Sequence, residues 1–178
     1  MPSFETVRFG VLDYDPEDVI ELPDGLIGLP QLRRWLLLDM DADMPMRWLQ
    51  SVDRPDFGFP VMPPVFFAEE YAIESSTTVQ RRLSGAAEPE LVTLIIATVH
   101  PGGQLITGNL RAPLVLDVAT RRGAQIALDD DRLSTRHEID YCKFGLAVAG
   151  ESAENAGQEA EAESAQAPEP AQTVASGL

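Results

Sequence analysis

The sequence predicts an all-β fold, mainly antiparallel: a compact β-barrel-like or sandwich domain with one or two short helices and a disordered C-terminal tail. Three observations carry that expectation. Apolar runs of strand length recur through the first 147 residues. Gly, Pro and Asp clusters separate them at short spacing, and no long stretch keeps the 3.6-residue apolar period of a helix.

The elements follow in chain order. Phe4–Phe9 alternates loosely and Gly10 supplies a bend. Val19–Leu22 runs into Pro23-Asp24-Gly25, a turn in which Gly25 and Gly28 give the backbone access to positive φ. Leu29–Trp35 is long enough for one helical turn, and Trp35–Leu38 is a short apolar run before a polar loop at Asp39–Pro45. Arg47–Ser51 and Phe57–Val61 bracket a turn at Asp53–Asp56. Ser76–Leu83 reads as a short helix with a hydroxyl at its N-cap. Leu91–Val99 is the strongest strand, closed by Pro101-Gly102-Gly103 as a hairpin linker. Gln104–Thr107, Leu110–Val118 and Ala124–Leu128 follow, and Ile139–Phe144 forms a last edge strand.

Composition divides the chain into a folded domain over 1–147 and a tail over 148–178. The tail is made of Ala, Glu, Gln, Ser and Pro without an aromatic, too little apolar surface to offset the entropy of ordering. Of the net charge of -16, the domain's 23 acids against 13 bases contribute about -10, and six tail Glu with no Lys or Arg contribute the rest. That field disfavours direct nucleic-acid binding and an anionic membrane surface, and favours a basic protein partner. The single cysteine, Cys142, cannot form an internal disulfide, and no apolar run nears the ~20 residues of a membrane span. The expected location is cytoplasmic.

Chemistry-bearing patterns are weak. Asp39, Asp41 and Asp43 alternate like the start of a calcium loop, but Met44 stands where Gly is needed and Gln50 where a bidentate Glu is needed. Asp129-Asp130-Asp131 makes a poor chelate and suits a strand end. His100, His137 and Cys142 have no zinc spacing. No nucleophile elbow, phosphate loop or metalloprotease motif is present in the sequence. No metal, cofactor or catalytic residue is expected. Gln50 and Asn109 read as side chains that satisfy backbone groups where loops cross the core, and Trp48 and Phe66 as core residues.

Several ordered strings carry a resemblance. Thr6–Gly10, Ile20–Gly25 with Gly28, Trp48–Ser51, Phe66–Tyr71, Thr107–Pro113 and Arg122–Gln125 resemble, in order and spacing, the flagellar assembly factor FliW family. Departures are Pro63-Pro64 where Asp-Pro is usual, Arg111 where the family has an apolar residue, and Asp117 where Asn is common. The resemblance implies a barrel-like fold and no catalysis. It also implies two partners, flagellin and the translational repressor CsrA, with the factor coupling flagellin translation to export. On the residues themselves, the partner-binding candidates are Glu69, Glu70 and Tyr71, an acidic pair beside an aromatic on a loop, followed by Arg111 and Asp117. Two other readings stay open at this point. One is a chaperone-like module that binds flagellin alone. The other is a carboxylate-based hydrolase, which would need two facing acids in a pocket, one with a raised pKa.

Overall fold

The computed structural model describes residues 1–40, 45–71, 90–103 and 105–140. The expected helix at Ser76–Leu83, the tail over 148–178, Asp41, Asp43, Cys142 and the end of the expected Ile139–Phe144 strand lie outside them. Among the described residues the regular structure is strand apart from two short 3₁₀ turns. β1 (Ser3–Thr6) and β2 (Gly10–Asp13) form a separate antiparallel hairpin. The main sheet holds β3 (Ile20–Glu21), β4 (Arg34–Asp39), β5 (Arg47–Ser51), β6 (Gly58–Met62), β7 (Leu91–Val99), β8 (Leu105–Gly108), β9 (Leu114–Asp117), β10 (Arg122–Gln125) and β11 (His137–Asp140).

Its order is β11-β8-β7-β6-β5-β4-β3-β10-β9, and β9 returns to pair with β7. Seven strands thereby close into a barrel, leaving β8 and β11 as a side sheet. All its pairings are antiparallel except the single parallel one of β10 with β3, Arg122 opposite Glu21. The nine residues of β7 make this possible. Leu91–Leu94 pair with β9, Ile95 and Ile96 with β6, and Ala97–Val99 with β8. Pro60 has no N–H to donate, and the β6–β7 ladder is only two residue pairs long.

The barrel interior is apolar and closed. Trp35, Leu22, Leu49, Val61, Leu94 and Leu114 come from six positions around the ring and are almost fully buried. The Trp35 indole N–H donates to the Leu32 carbonyl at 3.2 Å, so the largest core side chain leaves no orphan donor. A second cluster lies under the side sheet, where Met62, Phe67, Ile95, Ile106, Leu110 and Ile139 meet.

Polar groups inside are paired, as the expectation for Gln50 required. Its Nε2 donates toward the carbonyls of Ser51, Pro55 and Phe57, and its Oε1 accepts the Trp48 indole N–H. Asn109 holds its own loop by accepting from the Arg111 N–H. Gln125, buried in the same manner, joins the Ala112 carbonyl to the Ile27 N–H. Among the described residues no buried side-chain polar atom lacks a partner. Trp48, expected in the core, is half-buried instead: Phe9 meets it edge-on at 6.0 Å and the Arg8 guanidinium stacks 4.4 Å from its ring, pinning the hairpin to β5.

Other differences from the sequence expectation have local causes. Leu29–Trp35 forms no helical turn, because one carboxylate oxygen of Asp53 accepts both the Arg33 and Arg34 N–H groups and draws the chain into β4. The helical turns stand at Pro16–Asp18, capped by Asp15, and at Pro64–Phe66. Both place Pro in the first turn, where its missing N–H costs nothing. The strand expected over Leu110–Val118 is β9 alone, since the Asn109 turn and the Gln125 bond to Ala112 hold residues before it as a loop. Gly25 sits at φ 66°, and a Cβ there would lie 2.5 Å from the Leu29 carbonyl oxygen, so only glycine suits the turn.

Candidate partner-binding surface

The acidic pair singled out from the sequence is presented by a short clamped segment. Pro63 and Pro64 lead into the 3₁₀ turn, where the N–H groups of Phe67 and Ala68 both donate to the Pro64 carbonyl. Phe67 is buried and its ring packs against Gly108 of β8, where any Cβ would overlap it. Four residues on, the Tyr71 hydroxyl donates to the Leu110 carbonyl at 2.6 Å. Tyr71 packs on two apolar clusters, the one under the side sheet and a smaller one of Val115, Ala124 and Ile126. With Phe67 and Tyr71 as fixed ends, Glu69 and Glu70 between them are exposed. Both residues are therefore exposed on a segment anchored at each end.

Arg111 joins this neighbourhood and Asp117 does not. Arg111 follows Leu110, the residue that receives the Tyr71 hydroxyl, and its guanidinium reaches Asp131 at 3.3 Å. Its carbonyl accepts the Leu128 N–H. Asp117 closes the far end of β9. It is buried, accepts the Ala119 N–H at 3.1 Å and the Thr120 hydroxyl at 2.7 Å, and so caps the turn into β10. That turn holds Arg121 at φ 53°, the positive value a non-glycine residue tolerates only when neighbours fix it. Tyr71 is half-buried and bonded to its own domain, so it positions the acidic pair.

One group went unselected in the sequence reading. Asp129, Asp130 and Asp131 lie in the chain between Leu128 and Leu133, which pack on the same two apolar clusters as Tyr71. Asp130 is held at a pKa of about 2 by hydrogen bonds from the Arg132 side chain and backbone N–H. Asp129 and Asp131 are exposed, and Asp131 pairs with Arg111, the neighbour of the Leu110 that holds Tyr71. The signal in the sequence is the triple Asp run, which reads there as a strand end and a poor chelate.

The hydrolase reading finds no support in this geometry. Glu21 and Asp53 share a concavity, but the Asp53 pKa is lowered. Burial pushes it up, while the N–H groups of Arg33 and Arg34 and the Arg34 guanidinium outweigh that effect. Each carboxylate shift resolved among the described residues is likewise downward. Among those residues no three His, Cys, Asp or Glu side chains gather as a metal site. His100 bonds to Thr107 at 3.0 Å, and Asp39 pairs with Arg47 at 2.6 Å.

Comparison with known proteins decides the family. The model of the FliW protein family matches residues 3–139. This chain belongs to the FliW family. A flagellar assembly factor FliW of Caldanaerobacter subterraneus subsp. tengcongensis is 34% identical over 138 residues, covering 77% of this chain and 92% of the relative. Flagellar assembly factor FliW 2 of Desulfotalea psychrophila is 37% identical over 136 residues, covering 76% and 89%. A crystal structure of the flagellar assembly factor FliW superposes with a TM-score of 0.69 at 26% identity, over 76% of this chain and 95% of that one. The FliW members are assembly factors, not enzymes, and the barrel-like all-β architecture is theirs. No helix among the described residues is long and apolar enough to cross a membrane.

Proposed function

We propose that the chain is a cytoplasmic binding protein that takes flagellin and a CsrA-type translational repressor as alternative partners. Flagellin held inside the cell occupies it, and export of flagellin frees it to bind the repressor and relieve the block on flagellin translation. The observation that carries the reading is the acidic pair Glu69 and Glu70, fixed between the buried Phe67 and the bonded Tyr71 on the side sheet. A rigid, exposed acidic display suits a basic, RNA-binding protein, because opposite fields steer encounter and cost little ordering on docking. Family membership supports the flagellar setting. Arg111, with Asp131 at 3.3 Å, borders the same surface. The burial of Asp117 assigns it to the fold of the β9–β10 turn.

The test is recovery of partners from flagellated cells with export intact and with export blocked. Blocked export should yield flagellin, and active export should yield the repressor. Recovery of flagellin in both states and of the repressor in neither would leave the narrower reading, a flagellin chaperone.

A further inference from the structure

On another part of the barrel three arginines gather against two carboxylates in a chain of net charge -16. The row Arg34, Glu21, Arg122 runs directly across β4, β3 and β10. These residues, with Arg33, Gln31, Pro23 and Asp53, line an open concavity of about 410 Å³. Asp53 is used up: it accepts the N–H groups of Arg33 and Arg34 and pairs with the Arg34 guanidinium at 2.7 Å. Among the described residues Arg33 and Arg122 have no carboxylate within ion-pair distance, Arg33 touching only the Pro30 carbonyl at 3.4 Å, whereas six of the ten described arginines have one. Glu21 is the remaining acid between them. Next to this groove, Arg121 reaches only Asp18, at 3.5 Å. Two exposed guanidinium forks thus stand open in a protein of net charge -16.

We infer that this groove is the docking place of the chain's own acidic tail. The tail carries six Glu and no Lys or Arg, with Glu159, Glu161 and Glu163 at alternate positions. In an extended segment those three project to one side, and a guanidinium accepts a carboxylate through two parallel bonds. Arg8 and Arg136 are the other described arginines without an ion pair, but Arg8 stacks on Trp48 and Arg136 lines a concavity with no second arginine, so this groove is where two such groups stand together. Reach is sufficient. From β11 the path through β8, β7 and β9 to β10 is four strand steps of about 4.8 Å, and the length of β7 adds roughly 30 Å. Glu159–Glu163 lie about twenty residues beyond Asp140, a length that spans about 25 Å as a flexible chain and over ~60 Å extended. Tethering holds the tail at an effective concentration near ~1 mM, enough for a contact made of individually weak exposed pairs. A tail seated there shields Arg33 and Arg122 from the acidic segments of other proteins.

The experiment uses the full chain with a nitroxide at position 160, introduced by Ala160→Cys in a Cys142→Ser background. Paramagnetic broadening is read in the amide spectrum at low salt, about 20 mM. The Arg33, Glu21 and Arg122 signals should lose at least about twofold more intensity than those of Val11 and Val65, exposed residues elsewhere. The contrast should persist on tenfold dilution and vanish at about 0.5 M salt, where screening is nearly complete. It should also vanish in the Arg33→Gln plus Arg122→Gln variant, whose side chains are exposed and whose fold can be checked in the same spectrum. Uniform broadening, a contrast that survives the double substitution, or one that scales with protein concentration overturns the proposal.

Discussion

The closed barrel and the side sheet of β8 and β11 are held by different means. In the barrel every strand has two neighbours, the interior is filled by Trp35 and aliphatic residues, and Gln50 and Gln125 satisfy the backbone where loops cross it. In the side sheet, β8 pairs with β7 over only three residues and β11 is an outer strand. Its support is the smaller cluster of Met62, Phe67, Ile95, Ile106, Leu110 and Ile139, with Phe67 fitted against Gly108 and the Tyr71 hydroxyl bonded to Leu110. The exposed acidic pair belongs to this second region. The ring of barrel strands is closed, whereas the side sheet ends among the described residues on β11, and the proposed recognition surface stands beside that sheet.

Substitutions can break that contrast in graded fashion. The largest effect is expected from Trp35→Ala, which should cost about 4 kcal/mol and unfold the whole domain cooperatively in denaturant titration. Gly108→Val comes next, at about 2–3 kcal/mol, because Phe67 must move. Its signature in hydrogen exchange is selective: amides of β8, β11 and the Pro64–Tyr71 segment should lose protection while β4 and β5 keep theirs. Uniform loss would mean that the two regions fold as one unit. Asp53→Asn should cost about 1 kcal/mol at pH 7, where the carboxylate accepts from Arg33, Arg34 and its guanidinium. Because folding lowers this pKa, the contribution is complete above the ordinary carboxylate value near about 4 and is lost as pH falls through the folded-state value. The variant and the parent should converge in acid, which thermal melts across pH 2–7 measure.

Much of the barrel was legible in the sequence, because closed antiparallel sheets leave short apolar runs between turn residues. Leu91–Val99 and Arg47–Ser51 coincide with β7 and β5. The expectation failed where a distant side chain decides the backbone. Asp53, in a turn some twenty residues away, sets the extended path of Arg33 and Arg34, and no local pattern around Leu29–Trp35 contains that fact. The 3₁₀ turn at Pro16–Asp18 did carry a local signal, an Asp cap followed by Pro, but it is too short to produce periodicity. For the candidate surface, exposure of Glu69 and Glu70 agrees with a loop reading, whereas the bond from Tyr71 to Leu110 spans 39 positions and only the fold reveals it. The same holds for Asp117, whose capping role depends on the turn at Thr120.

Substitution at the acidic pair should affect stability least and function most. The decisive measurement is a calorimetric titration of a CsrA-type repressor into the full chain, with and without saturating flagellin, repeated with Glu69→Lys plus Glu70→Lys. The account predicts repressor binding that flagellin abolishes, and at low salt an association at least about tenfold weaker in the double variant with an unchanged melting temperature. Repressor binding that is indifferent to flagellin, or equal affinity of parent and variant for both partners, would contradict it.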